Sequence, residues 1–576
     1  MESPELILAN SFGSGTTVYQ GDNRFSLNNI NFLQNRLEFK KRNKFFIRAY
    51  STQTSAGDSF DPFFTALQLQ ENAKDNIEWS QDYTFFWVNV IGPLIAESGF
   101  PQIEVLTDDN GNPIFNDDGS VQTFFDNEAY DQWLIDNAGS VAEYHAQAQI
   151  YADTVTRGAS AAVPFFEPGT ERFQQEFDRI STSLRADGGT KFFDRSALYH
   201  LHGEYTFNPL WIDEIKVGGN YRLYTPDSRG TIFVDTADIR ITNSEFGFYS
   251  GAEKSFYNNK LKASATIRVD KNENYDYLVS PAASLVYTPS PNNFFRASFS
   301  SAIRNPTLSD QFLLLDVGRA TLAGNLNGVE DLVTVESVTD FFRTLQASEL
   351  DTFSIDPIRP EEVKTFELGF RTTLFDKLYV DAGYYYSFYT NFIGFEIGVD
   401  LDFTNVGGGT TIQSIEAFRY ASNAKTQVTT QGFSIGFNYY LDGNFGLNGN
   451  YSWNRLNLQE EDDPIIPAFN TPEHKFNIGF GGRDLSVNLG QRRLNNLAFN
   501  INYKWIEGFL FEGSPQFTGF IPSYDLLDAQ FNVGFPKLNS TIKIGASNVL
   551  NSQNFQTFGG PRIGRLAYIT WTYEPK

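Results

Sequence analysis

The strongest constraint on this chain is a two-residue alternation sustained over segments longer than ordinary strands. In "NFFRASFSSAIRNPTLSDQF" (293–312), Phe295, Ala297, Phe299, Ser301 and Ile303 share one parity, and Phe294, Arg296, Ser298, Ser300, Ala302 and Arg304 the other, until Asn305-Pro306 ends the pattern. In a strand each parity is one face of a sheet. "LAFNINYKWIEG" (497–508) repeats the arrangement, with Leu497, Phe499, Ile501, Tyr503 and Trp505 against Asn500, Asn502 and Lys504. Strands in soluble proteins are commonly about 5–6 residues long. Segments twice that length, with one face apolar and the other neutral and polar, fit a strand between lipid and a watery interior.

From about residue 195 onward such segments alternate with tight turns on one side and longer polar loops on the other, which is an antiparallel meander. "SFYNNKLKA", "TLFDKLYV", "YLDGNFGL" and "GFPKLNSTI" supply the Asn, Asp, Gly and Pro of tight turns. The count is about 17 strand candidates. A hairpin is expected over roughly 28–56. Trp211, Trp453, Trp505 and Trp571 fall near strand ends, where aromatic girdles form. No apolar run reaches the ~18 residues of a membrane helix. With 56 Phe and 28 Tyr, the composition favours strands. The predicted fold is all-β, a transmembrane antiparallel barrel with long, partly helical extracellular loops. The runner-up is a soluble array of sandwiches.

Two long interruptions break the rhythm. Residues 58–192 contain three stretches of helical spacing, "DPFFTALQLQENAKDNIEWSQDYTFFWVNVIGPLIAESG", "DNEAYDQWLIDNAGSVAEYHAQAQIYADTVTRG" and "EPGTERFQQEFDRISTSL", the last opening with a proline at a helix start. Residues 305–361 form the second. Both read as extracellular loops and as the place where a ligand is captured. The aromatic segment "WSQDYTFFWVNV" suits helix packing better than sugar stacking.

Chemistry-bearing constellations are sparse. There is no cysteine, hence no thiolate site or disulfide, and no nucleophile elbow. His200, His202 and Glu204 lie on one face of a strand, a conceivable metal arrangement, but a barrel wall uses such positions equally well. In "TDDNGNPIFNDDGSVQTF" (107–124), Asp108, Asn110 and Asn112 are weak Ca²⁺ candidates, because Pro113 stands where an EF-hand needs glycine. Two turns of a short hairpin are the plainer reading. A net charge of −25 argues against nucleic acid. No cofactor and no enzymatic activity are expected.

Four stretches, in order, resemble the barrel of a TonB-dependent outer-membrane receptor of the large-loop kind found in Bacteroidetes. They are "FRASFSSAIRNPTLSDQF", the Pro360, Glu361, Glu367, Gly369 hairpin, the Thr471, Pro472, His474, Lys475 element, and the closing hairpin from Asn548 to the C-terminus. The resemblance implies a nutrient importer in the Gram-negative outer membrane, driven by TonB through a plug, with an unknown ligand and a surface lipoprotein as a possible lid. Nothing in residues 1–27 resembles a plug or TonB box. The expectation is therefore a barrel domain over 1–576, incomplete at its N-terminus, with about 17 of the 22 strands of plugged transporters. A structural barrel within a larger outer-membrane assembly or secretion complex is the alternative function, and a soluble all-β enzyme or adhesin the weakest. On this reading Arg296, Ser298, Ser300 and Arg304 face the lumen, and Phe295, Phe299, Phe499, Ile501, Tyr503 and Trp505 face lipid. Because the chain has no cysteine, single substitutions test it cleanly. Ser298→Cys should react with a membrane-impermeant maleimide in the reconstituted protein and Phe299→Cys only with a lipid-soluble one; equal labelling of both by the aqueous reagent would refute the assignment.

Overall fold

A two-residue repeat can satisfy its backbone only by pairing with neighbours on both sides, and that pairing organises the computed structural model of the chain. The structure describes residues 3–20, 24–108, 110–116, 119–155, 166–236, 238–344, 346–406, 409–458, 465–490, 492–513 and 517–575. Eighteen strands form one antiparallel sheet. In chain order they are β1 (Glu5–Gln20), β2 (Arg24–Lys41), β3 (Phe45–Ser55), β4 (Ala197–Phe207), β5 (Glu214–Thr225), β6 (Asn243–Phe256), β7 (Leu261–Asn272), β8 (Leu278–Ser290), β9 (Asn293–Arg304), β10 (Glu361–Leu374), β11 (Leu378–Thr390), β12 (Val428–Tyr440), β13 (Phe445–Leu458), β14 (His474–Leu489), β15 (Arg492–Ile506), β16 (Tyr524–Phe535), β17 (Ser540–Ser547) and β18 (Leu566–Tyr573). Each strand pairs with the next in sequence. The hairpin expected at 28–56 is thus the second half of a three-stranded opening. Its first strand, Glu5–Gln20, is hidden in sequence by Asn10, Ser14 and a register shift between Gly15 and Thr17.

Register carries the two faces across the sheet. Phe295 lies opposite Phe370 and Phe299 opposite Phe366, with ring centroids 4.7 and 5.0 Å apart. Phe499, Ile501, Tyr503 and Trp505 lie opposite Gly482, Phe480, Ile478 and Phe476. This face leaves large apolar side chains bare to solvent, Leu368 at 63% and Ile569 at 73%. Such a face is stable only against another apolar medium. On the other face, Ser298 donates to Glu367 (3.1 Å), and Arg296 pairs with Asp381 (2.7 Å). The Arg296 side chain lies across Gly369, where any Cβ would meet its Nε at 2.2 Å. Ser300 lies opposite Thr365, and Arg304 sits 3.6 Å from Glu361. Other charges of this face also pair within the wall: Arg48 with Glu38 (2.7 Å), Arg222 with Glu245 (2.7 Å) and Arg268 with Asp270.

Connections alternate in length. Short turns join β2–β3, β8–β9, β10–β11, β12–β13 and β16–β17, and residues in left-handed conformations make them, such as Asn258 and Asn259 between β6 and β7. The long connections all leave the opposite end of the strands. Trp211 and Trp571 lie toward the short-turn end, and Trp453 and Trp505 toward the long-connection end. The second interruption, 305–360, contains α7 (Leu308–Phe312) and the helix Val335–Thr344. A third long connection, 391–427, is a hairpin (Ile393–Val406 and Gly409–Asn423) whose alternation mimics wall strands. It joins four short strands of 305–360 in a separate six-stranded sheet.

Residues Phe60–Lys191 form a second compact unit. It holds α1 (Pro62–Ala73), α2 (Asn76–Phe86), a π-helical turn Trp87–Ile91, α3 (Gly92–Glu97), α4 (Asn127–Asp136), α5 (Ala138–Thr154) and α6 (Glu171–Thr182). The proline-led start belongs to α1, with Pro62 after the N-cap Asp61. The last helix instead begins at Glu171, capped by the Thr170 hydroxyl on Phe173 N–H (3.2 Å), leaving Pro168 outside. The aromatic segment packs helices: Trp87 stacks on His145 (4.3 Å), Phe86 on Tyr151 (4.6 Å), and Trp79 Nε1 donates to Asp153 (2.8 Å). Beneath them Lys74, buried, donates to Asp82 (2.6 Å) and to the Ala152 carbonyl (2.5 Å), tying α1, α2 and α5. Removing one partner of a buried pair leaves a bare charge and costs about 3–5 kcal/mol. Lys74→Met should therefore strip amide hydrogen-exchange protection from all three helices, and Lys74→Met with Asp82→Leu should restore most of it.

Candidate functional site

The long connections converge on a pair of cavities. Their floor is local sequence chemistry. The strand Gly409–Asn423 pairs antiparallel with Ile393–Val406 and parallel with Thr321–Ala323, which sets Leu322 and Ile397 opposite Arg419 and Phe395 opposite Ala421. Arg419 is buried, stacks over the Phe395 ring (4.1 Å) and donates through Nη1 to the Gly513 carbonyl. A guanidinium laid on a ring is held in plane, with its donors pointing outward at fixed geometry.

Around this pair the other connections are locked by reciprocal contacts. Phe395 exchanges both backbone hydrogen bonds with Ile466 (3.0 and 2.7 Å). Asn470 uses both ends of its amide on the Glu512 backbone (3.0 and 2.7 Å). Phe558 lies over Gly519, where a Cβ would meet it at 2.3 Å, and Phe517 over Gly559, a left-handed residue, at 2.4 Å. From the first hairpin Arg24 reaches over Phe517 (5.7 Å), and Phe25, buried, packs on Phe192 (4.3 Å). The first cavity, about 310 Å³, is bounded by Arg24, Arg419, Asn470, Glu512, Phe517 and Phe558 among others. The second, about 400 Å³, is bounded by Phe25, Leu27, Phe192, Ile232, Leu313 and Leu322 among others. Tyr19, Phe395 and Arg419 line both. Volumes of this order suit small ligands.

Glu512 is the carboxyl group of the first cavity. Burial pushes its pKa above the ordinary value, and N–H groups of Ala468 and Phe469 on its carboxylate pull the other way.

A third cavity, about 750 Å³, lies on the polar face between Arg222, Glu245, Arg268 and Asp270 and the segment Asn305–Ser309. Gln311 fixes α7 there, donating to the Pro306 carbonyl (2.7 Å) and accepting from Asn243 (3.2 Å) and Asn274 (2.7 Å).

The residues singled out from sequence are distributed differently. Arg296, Ser298, Ser300 and Arg304 share the polar face, and Phe295, Phe299, Phe499, Ile501, Tyr503 and Trp505 the apolar one; none of them lines the cavity pair, but Arg304 lies 3.9 Å from Asp310 of the second cavity. His202 Nε2 meets Tyr249 Oη (3.1 Å), and that hydroxyl donates to Glu204 (2.7 Å), so the His-x-His-x-Glu strand is tied into the wall. Asp108 Oδ1 accepts the N–H groups of Asn110 and Asn112 (both 2.9 Å), which is a turn. Its neighbours Asp109, Asp117 and Asp118 lie outside the described residues. No group of three metal-ligating side chains occurs among the described residues. Two of the motif residues hold neighbouring segments: Glu361 accepts the Ile393 N–H (2.9 Å), and His474 Nδ1 meets Tyr451 Oη (2.7 Å). Sequence reasoning missed Arg419, Phe395 and Glu512. Their only local signal is arginine and phenylalanine on one parity of a strand pair.

Residues 6–551 match the family model described as TonB dependent receptor-like, beta-barrel. Among solved structures, the FrpB iron transporter of Neisseria meningitidis (F5-1 variant, apoprotein) aligns over 99% of this chain and 68% of its own, at 11% identity and a TM-score of 0.52. A mutant of the ferric enterobactin receptor PfeA of Pseudomonas aeruginosa aligns over 99% and 67%, also at 11% and 0.52. The copper transporter OprC aligns over 98% and 68%, at 10% and 0.50. These likenesses are of fold. No curated protein matches the chain in sequence.

Glu512 gives this cluster a pH dependence. A carboxyl whose folded pKa is raised contributes stability that is full below its unfolded value and lost as pH climbs through the folded one. Hydrogen-exchange protection of residues 509–521 should therefore fall as pH rises from about 4 toward neutrality, and Glu512→Gln should flatten that dependence. A protection profile that rises with pH would contradict the burial assigned here.

Proposed function

The chain belongs to the TonB-dependent receptor β-barrel family, and from that premise we propose that it forms the wall and ligand-capturing mouth of an outer-membrane nutrient importer. The observation that carries this is the two-faced sheet with every long connection at one end and a built cavity pair among those connections. In hydrocarbon a backbone must satisfy its own hydrogen bonds, and antiparallel wall strands do so. The apolar face then meets lipid, and the polar face, carrying Arg296, Ser298, Ser300 and Arg304, lines the lumen. Short turns belong to the periplasmic side of such barrels and long loops to the outside. The cavities therefore open toward the medium, and a ligand held there waits at the entrance of a polar passage.

The chain's own residues carry out no reaction in this reading. They bind, select and shield, while TonB supplies work through a plug within the lumen. FrpB and PfeA are described as an iron transporter and a ferric enterobactin receptor, which supports import as the activity without assigning their cargo here. The second long connection, 305–361, belongs to the same capturing role, the region 58–192 is a further candidate for ligand capture, and a surface lipoprotein is a fitting lid. A structural barrel subunit accounts less well for a mouth whose loops are locked around empty volume.

Sidedness is the test. In intact cells an impermeant maleimide should label Thr339→Cys, in the helix of the second long connection, and not Asn258→Cys, in a short turn. Labelling of Asn258→Cys alone would reverse the orientation and remove the capture site from the outside.

A further inference from the structure

The two mouth cavities differ in chemistry, and they meet at Tyr19, Phe395 and Arg419. The larger is walled by Phe25, Leu27, Phe192, Ile232, Leu313 and Leu322. Its carboxylate, Asp310, is committed to the Thr307 N–H (2.8 Å) and hydroxyl (2.9 Å). The smaller contains Arg24 and Arg419, the Asn470 amide and Thr557. Its carboxyl, Glu512, already accepts backbone N–H groups. One half therefore favours apolar atoms and the other an acceptor of negative charge, with a guanidinium at the border.

We propose that this mouth takes an amphipathic anion, with an apolar chain in the larger cavity and a carboxylate or phosphate group on Arg419 and Arg24. The assignment rests on the capture reading above and names the ligand class for it. A polyhydroxylated ligand would bring hydroxyls against Leu322, Leu313 and Phe25 without partners, which is costly. A small hydrophilic anion would leave the apolar half unused. An uncharged apolar molecule would gain nothing from the ring-stacked Arg419, whose planar fork matches carboxylate and phosphate. The chain's net charge of −25 works against anions at a distance. At physiological salt the field fades over about 8 Å, so recognition falls to contacts within the mouth.

Calorimetric titration of the full chain in lipid nanodiscs, with empty nanodiscs subtracted, tests this using octanoate, octyl phosphate, 1-octanol and acetate. Octanoate or octyl phosphate should bind at least about ten-fold tighter than octanol, with acetate silent; the tighter of the two names the headgroup. Arg419→Met should bring the anions down to the octanol level, while Arg419→Lys retains part of the difference. Leu322→Gln should weaken anion and alcohol alike. Anions binding no better than octanol to the unsubstituted chain, or unaffected by Arg419→Met with Leu322→Gln equally silent, would overturn the ligand class. That failure is separable from failure of the capture reading: a mouth that labels from outside but ignores octanoate loses the class alone. A mouth that binds octanoate but labels only from the periplasmic side loses the capture role alone.

Discussion

Backbone hydrogen bonding in a medium without water is the constraint on which everything else in this protein depends. A chain with no long apolar helix can cross hydrocarbon only by giving each N–H and C=O to a neighbouring strand. The register of the eighteen-stranded sheet does this strand by strand, and its period of two divides the side chains into an apolar and a polar population. The polar population then has to be accommodated on a curved wall. Arg296 shows how: it lies flat across Gly369 to reach Asp381, so a long cation is stored along the wall with its charge neutralised. Arg268 repeats the arrangement over Gly247 with Asp270, and Arg48 with Glu38 and Arg222 with Glu245 repeat the pairing. At these strands the polar face carries paired charges of both signs rather than bare ones.

The same alternation that builds the wall also frees the loops. Turns at one end are so short that they can carry only backbone geometry, and all sequence surplus is placed at the other end. There the problem changes from satisfying a backbone in lipid to holding many independent loops in one arrangement. Three devices solve it: a second small sheet formed by two connections, the Asn470 amide that clips two further connections together, and rings laid onto Gly519 and Gly559. Each requires a partner from a different connection, so the cavities exist only when the loops are assembled together.

This difference explains what could be read in advance. Parity in "NFFRASFSSAIR" is a local property, and the faces of Phe295, Arg296, Ser298 and Phe299 follow from it directly. The helices of 60–191 were legible for the same reason, since caps such as Asp61 and Thr170 sit beside what they cap. Strand β1 was not, because Asn10 and Ser14 interrupt the parity of Leu6, Leu8 and Phe12 and its partner supplies the missing order. The hairpin 393–423 alternates as the wall strands do, so nothing local marks it as belonging to a loop sheet. Arg419 was illegible as a site residue. Its importance comes from Phe395, Gly513 and Leu322, which belong to three separate connections, and from Arg24 at the start of β2.

The position of Arg419 also shows why a strongly acidic protein can serve an anion. Acidic residues keep a large exposed surface soluble, and at physiological salt their repulsion of anions decays over about 8 Å. A guanidinium buried on Phe395 is screened much less, because the water that would screen it is excluded. Long-range repulsion then lowers the rate at which every anion arrives, whatever its shape, while contact energy is gained only by those that also fill the apolar cavity beside it. Net charge and buried arginine are therefore complementary: the first penalises anions in general, and the second restores binding to one shape of anion, which is how affinity becomes selectivity.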